Sequence, residues 1–143
     1  MVDPSPAVHL RGMLVDGDDI PTVLYSRPVT RNRNEMLLAR LVDDTWLTRV
    51  LFQWDSSQPI MTSNPIQTDA RTTGFAVFHL AEKQLSWFSV SPRKIQRHIL
   101  PGAISGSSIA KPQGIVARRA GTKLFLLLAW NAAEQSALYL YSR

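Results

Sequence analysis

The sequence lacks cysteine, and its 143 residues include only three glutamates. Without cysteine the chain can form neither a disulfide bond nor a thiolate zinc site. Charged residues make up 19% of the chain and aromatic residues 8%, whereas 45% of the residues are hydrophobic. This composition predicts a globular domain with a buried core, and it argues against a disordered tail or a coiled coil.

Long hydrophobic runs are also missing. The densest stretch, residues 124–130, has seven residues, whereas a membrane-spanning helix needs about 18 or more. We therefore expect no membrane span. Residues 1–9 contain two prolines and an aspartate where a signal peptide has basic residues followed by an apolar core, so the sequence predicts no export signal and leaves the compartment open.

The sequence contains no recognisable catalytic or metal-binding motif. His9, His79 and His98 fall in separate predicted strands, with no acidic residue at metal-ligand spacing. Residues 16–19 read Asp-Gly-Asp-Asp, which predicts a tight hairpin turn because the spacing of a calcium loop is absent. There is no nucleophile elbow and no glycine-rich phosphate loop. We therefore predict no catalytic residue, no metal and no cofactor.

Short apolar or alternating runs separated by turn residues fill the chain, without a helical stripe of period 3.6. This pattern predicts an all-β protein. Runs at 8–15, 22–25, 36–42 and 46–54 predict a meander of four strands, and the pattern recurs twice, the third time without its fourth strand. The chain is therefore predicted to be one repeat domain, 1–143, with copies at approximately 8–55, 60–101 and 109–143.

Repeats of about 40 to 50 residues with four strands each are typical of propeller blades. Residues 43–46 read Asp-Asp-Thr-Trp, at the place where sialidase-like propellers carry a Ser-x-Asp-x-Gly-x-Thr-Trp turn, so that Thr45 and Trp46 match its end. By strand order and spacing, the chain resembles these propeller repeats. The resemblance implies three antiparallel four-stranded blades, the last incomplete. A closed β-barrel or a sandwich is the alternative fold.

Three blades cannot close a ring, since propellers have about 4 to 8. We therefore expect the chain to associate with itself or with another protein chain, and its leading predicted function is that of a non-catalytic interaction or assembly module. One alternative is a carbohydrate-binding or sialidase-like glycan-processing propeller. Another is an accessory protein that binds nucleic acid through arginine clusters.

The basic surplus suggests where a partner would bind. The formal net charge is +5, and arginine outnumbers lysine twelve to four, which favours paired contacts with carboxylate or phosphate groups. Segment 26–34 is predicted to be the longest loop within a copy and the contact site for an acidic partner. Trp54 is predicted to reach the surface, where it would stack on a sugar or anchor a partner. The candidate binding residues are Arg27, Arg31, Arg33, Trp54, Arg93, Lys94 and Arg97.

Other large residues are assigned to the core. Residues 124–128 form an uninterrupted apolar run, which predicts a central strand covered on both faces. Trp87 and Trp130 stand inside apolar runs and are predicted to be buried. Tyr25, the best-placed nucleophile if the chain were sialidase-like, stands in an apolar strand and is also predicted to be core.

Overall fold

The computed structural model describes residues 8–100, 111–121, 123–132 and 135–142, with side chains from 114 to 121 and 123 to 127 in the later segments. In these residues the chain forms strands and no helix, which confirms the all-β prediction. Among them there is accordingly no helix with the length and apolarity to cross a membrane. The sheets are antiparallel and none closes into a barrel, so the closed-barrel alternative is wrong. The chain divides into two compact units, Met1–Pro59 and Ile60–Arg143.

The first unit contains one meander, which we call sheet 1. Its strands follow one another in space as they do in the chain. They are β1 (His9–Val15), β2 (Pro21–Thr30), β3 (Arg33–Val42) and β4 (Thr45–Asp55). This order is the one predicted for the first copy.

The second unit contains two sheets. Sheet 2 has the order β5-β7-β8-β9, with β6 also paired to β7, and sheet 3 has the order β10-β11-β12. Sheet 2 consists of β5 (Ile60–Thr62), β6 (Ile66–Asp69), β7 (Thr72–His79), β8 (Gln84–Val90) and β9 (Ile95–Ile99). Sheet 3 consists of β10 (Lys111–Ala120), β11 (Lys123–Ala132) and β12 (Gln135–Ser142).

Aspartates form the tight turns of sheet 1. The β3–β4 turn has only Asp43 and Asp44, both with positive φ (49° and 59°), which is the type I′ geometry that suits the twist of a hairpin. In the β1–β2 turn, Asp16 Oδ1 accepts hydrogen bonds from the backbone N–H groups of Asp18 and Ile20 (2.9 and 3.0 Å). These side-chain contacts are typical of Asx turns. The prediction of a tight hairpin turn at residues 16–19 is therefore confirmed.

The two central strands of sheet 1 are buried on both faces. Directly opposed residues of neighbouring strands share a face, and Tyr25 lies opposite Leu37. With Ala39 they form a buried group, the Tyr25 cluster, against which Val23 and Trp46 pack. Tyr25 is therefore core, as predicted. On the opposite face, the buried apolar side chains of the central strands are those of Leu24, Met36 and Leu38.

Sheet 2 has an interrupted edge strand. Strands β5 and β6 both pair with the same neighbour, β7, and residues 63–65 separate them. Ser63 continues the contact, because its N–H donates to the Ala76 carbonyl (2.9 Å) and its Oγ accepts from the Ala76 N–H (2.8 Å). Pro65 has no N–H to contribute to a ladder, so the regular pairing resumes only at β6.

Asn64, at this interruption, joins sheet 2 to sheet 3. Its Nδ2 donates to the carbonyl of Ala117 in β10 (3.1 Å), and its Oδ1 accepts from the Ala117 N–H (3.0 Å). The side-chain amide thereby replaces the backbone groups of a neighbouring strand. Ala117 is fully buried, so these two bonds satisfy backbone groups that water does not reach.

The core of the second unit joins β7, β8, β10 and β11. Ala76, Phe78, Trp87 and Leu126 belong to one buried cluster. Trp87 is core, as predicted, and its ring lies so close to Gly74 that a Cβ atom there would overlap ring atom Cζ2. Glycine is therefore required for the close approach of this backbone to the indole.

The prediction for residues 124–128 is only partly correct. Strand β11 is the middle strand of sheet 3, and Leu126 is fully buried. Leu127, however, is 39% exposed, as is its cross-strand partner Val116 at 40%. One face of the sheet is open at this pair, so the prediction that both faces are covered is wrong. The side chain of Trp130 lies outside the described residues.

Candidate binding surfaces

The predicted arginine loop is a continuation of the β2–β3 hairpin. Strand β2 runs on to Thr30 and β3 begins at Arg33, so only Arg31 and Asn32 connect the strands. The ladder places Arg27 opposite Glu35 and continues to Thr30 opposite Arg33, with one register shift between Pro28 and Thr30. The prediction of a long loop over residues 26–34 is therefore wrong, because its polar residues pair across the strands.

Arg27 is part of a polar network on three adjacent strands. Its Nε donates to Glu35 Oε1 at 2.7 Å, and the Glu35 side chain is only 8% exposed. Gln53 Nε2 donates to the other Glu35 oxygen (3.5 Å), and Arg33 Nε donates to Gln53 Oε1 (3.2 Å). The network fixes Arg27 and Arg33 on the sheet, while Arg31 is exposed in the turn. The three arginines predicted to contact an acidic partner therefore have separate environments.

The second predicted group of basic residues lies at the edge of sheet 2. Arg93 and Lys94 are exposed in the β8–β9 turn, and Arg97 lies in β9. The Arg97 guanidinium donates to Ser86 Oγ (3.1 Å) and to Gln84 Oε1 (3.0 Å). These three residues are neighbours in the chain, but among them only the Arg97 side chain is held in place by side-chain hydrogen bonds to described residues.

Trp54 does not reach the surface. It is 8% exposed, and its ring centroid lies 5.7 Å from that of Phe52 with a tilt of 46°. The prediction of a surface tryptophan is therefore wrong. Trp54 lies opposite Asn34 in the β3–β4 ladder. The sequence predicted an exposed strand end at this position, whereas the strand is still paired there.

The three histidines lie in β1, β7 and β9. Burial, and secondarily the charge of Arg97, lower the pKa of His79 and so favour its neutral form. Its Nε2 has no hydrogen-bond partner among the described residues. Within the described ranges, no three His, Asp or Glu side chains are grouped so that they could hold a metal ion.

Charge is divided unequally between the two units. Residues 1–59 contain six Lys and Arg against eight Asp and Glu, whereas residues 60–143 contain ten against three. Exposed Arg118, Arg119 and Lys123 lie near the β10–β11 turn. Arg119 Nη1 donates to the Gln67 carbonyl in β6 (3.4 Å), and the exposed Arg71 follows in the next turn. Sequence reasoning identified the Arg118–Arg119 pair but missed Arg71, which is distant in the chain.

Sequence reasoning also missed Arg11. The β1–β2 register shifts between Leu10 and Gly12, so Arg11 is the extra residue of a β-bulge. Its Nε donates to Oγ of the buried Ser26 (3.0 Å), and burial lowers the pKa of its guanidinium. The glycine after Arg11, inside a predicted strand, is the one sequence signal of such a bulge.

A cleft of about 410 Å³ opens beside Arg11. His9, Ser26, Pro28 and Asn34 contribute to its lining. His9 is the cross-strand partner of Ser26, and Pro28 is that of Asn34, so these four residues share one face of sheet 1. The cleft therefore brings a guanidinium, an imidazole and a carboxamide to one side of the hairpin.

Comparisons with known proteins identify no relative of this chain. The sialidase-like resemblance therefore still rests on strand order and spacing in the sequence. No family model, no curated protein and no solved structure matches the chain.

Proposed function

We propose that the chain is a non-catalytic assembly module that binds a second copy of itself through one face of sheet 1. The observation that carries this proposal is a set of large apolar side chains on both edge strands. Leu10, Met13 and Val15 on β1 are 66%, 61% and 58% exposed, and Val50 on β4 is 45% exposed. Three of these side chains lie on the same strand, and grouped exposed apolar side chains are typical of interaction sites.

These four side chains lie on the same face as the Tyr25 cluster. Leu10 is opposite Tyr25 and Met13 opposite Val23 in the β1–β2 ladder, while Val50 is opposite Leu37 in the β3–β4 ladder. We call this side, with its buried centre and exposed flanks, the apolar face of sheet 1. Because the centre of this face is already buried, a second copy would contact its exposed flanks and remove their side chains from water.

A second copy suits this face because its strongest charges are already neutralised. Arg27 lies on the same side as Tyr25, two residues along the strand, and is paired with Glu35. Two identical faces related by a twofold axis would therefore meet without opposing unpaired charges at this position. In this proposal the meander sheets act as propeller-like blades. The second copy supplies the further blades that are needed to close a ring.

The mass in solution tests the proposal. We expect light scattering to show a dimer, twice the 16.0 kDa of the chain, and Met13→Asp or Val50→Asp to yield a folded monomer. Leu47→Asp is the matched control, because Leu47 lies on the same strand as Val50 but opposite Arg40, on the other face. A monomeric wild type, or a control that dissociates as readily as the face variants, would contradict the proposal.

The charge of residues 60–143 favours a second candidate function, accessory binding of nucleic acid. Arg71, Arg118, Arg119 and Lys123 are exposed at one end of this unit. Binding to a fluorescent single-stranded oligonucleotide should weaken steeply with added salt. A shallow salt dependence, or equal binding by the Arg118→Ser/Arg119→Ser variant, would exclude this candidate.

A further inference from the structure

We propose that the cleft beside Arg11 binds the phosphate group of a small ligand. The cleft lies at one edge of the apolar face of sheet 1. His9 and Ser26 belong to the opposite side of the sheet, whereas Leu10 and Arg27, which also line the cleft, belong to the apolar face. Its volume of about 410 Å³ is within the range of small-molecule pockets, about 300 to 1,000 Å³.

The guanidinium of Arg11 has unused hydrogen-bonding capacity. An arginine has five N–H donors, and at Arg11 the structure shows one bond to a described residue, from Nε to Ser26 Oγ. The other arginines fixed on this sheet include Arg27 and Arg40, and each forms a 2.7 Å ion pair with a carboxylate. Within the described part of the chain, Arg11 has no such partner.

Burial makes this arrangement costly unless an anion is present. The Arg11 side chain is half-buried, and burial without a counter-charge lowers the pKa of the guanidinium. A charged group removed from water is stabilised by an opposite charge with good hydrogen-bond geometry. An anion in the cleft would supply that charge and would contact the two terminal nitrogens together.

The other lining groups favour phosphate over carboxylate. The bond to Ser26 holds Nε, which leaves the two terminal nitrogens for an anion, and Asn34 and His9 offer further donors around the same cleft. A carboxylate presents two oxygens in one plane, whereas a phosphate monoester presents three terminal oxygens in different directions and carries up to two negative charges, which suits donors placed around a cleft. Pro28 provides an apolar wall for the organic part of the ligand.

Phenyl phosphate and benzoate form a matched pair of probes, because they carry the two anions on the same ring. We expect calorimetric titration of the full chain to show saturable binding of phenyl phosphate that is tighter than that of benzoate. Arg11→Met should weaken phenyl phosphate binding about 10- to 100-fold, the usual worth of hydrogen bonds to a charged group. Arg11→Lys, which retains the charge without the planar fork, should give an intermediate loss.

Lys83→Met is the control, because it removes a positive charge from the exposed β7–β8 turn. It should leave the affinity for phenyl phosphate unchanged. The proposal is overturned if wild type shows no saturable binding, if benzoate binds as tightly as phenyl phosphate, or if both methionine variants lose affinity equally. Unchanged circular dichroism of Arg11→Met, with the loss restored in part by lysine, separates a lost contact from a lost fold.

Discussion

Asn64 offers the sharpest test of how sheets 2 and 3 are held together. Asn64→Ala removes both hydrogen bonds to Ala117 and leaves a buried N–H and a buried carbonyl without partners. Each unsatisfied group costs about 1 to 3 kcal/mol. We therefore expect the substitution to lower the free energy of unfolding by about 2 to 5 kcal/mol, allowing for partial access of water to the space left by the amide.

Urea unfolding followed by circular dichroism measures this change. Hydrogen exchange adds a local readout, since the Ala117 amide should exchange much faster in the variant than in wild type. Asn64→Asp should destabilise the protein at neutral pH as well, because its carboxylate can accept from the Ala117 N–H but opposes the Ala117 carbonyl. Asn32→Ala, in the exposed β2–β3 turn, should change stability by less than about 0.5 kcal/mol.

The reasoning fails if Asn64→Ala costs less than about 0.5 kcal/mol, the range of ordinary surface substitutions. It also fails if the Ala117 amide exchanges equally slowly in both proteins. Either result would mean that backbone groups of β10 are satisfied without the Asn64 side chain.

Two further predictions concern acid stability and close packing. Burial alone would raise the pKa of Asp16, but hydrogen bonds from Arg40 and two backbone amides hold it below its ordinary value of 3.8. The ionised Asp16 carboxylate therefore stabilises the fold above that value, and this contribution is lost as the pH falls through the lower pKa of the folded state. In Asp16→Asn, the free energy of unfolding should consequently fall less steeply on acidification. Gly74→Ala should lower stability by about 1 to 3 kcal/mol, because the new methyl group overlaps the Trp87 ring. Gly114→Ala, with no atom within 4 Å of the added carbon, is its control, and equal melting temperatures for the two variants would contradict the packing argument.

The strands of sheet 1 could be read from the sequence because apolar alternation and turn residues agree there. Aspartate turns at residues 16–19 and 43–44 separate β1 from β2 and β3 from β4, and each type of turn follows from the local preference of aspartate. The order of strands in sheet 2 follows the same logic. Its interruption was not predicted, and the contact made there, between Asn64 and Ala117, joins residues 53 apart, which no local pattern specifies.

The binding surfaces were predictable to a smaller extent. Arg27 and Glu35 interrupt the apolar pattern and were read as loop, although they form an ion pair across a continuing ladder. Trp54 stands beside polar residues in the sequence, yet tertiary packing buries it. Arg11 is the reverse case, since Gly12 is a sequence signal of a bulge but does not show that the Arg11 side chain turns toward Ser26. Side-chain direction at a bulge depends on register, which single-sequence patterns do not specify.

The gap between β5 and β6 also has a consequence for aggregation. A foreign strand that approached this edge of sheet 2 would meet one stretch of three residues and another of four, separated by a proline-containing segment. Regular edge-to-edge pairing needs a longer uninterrupted row of free N–H and carbonyl groups. The interruption should therefore hinder intermolecular strand pairing at this edge, in the same segment in which Asn64 attaches sheet 2 to β10.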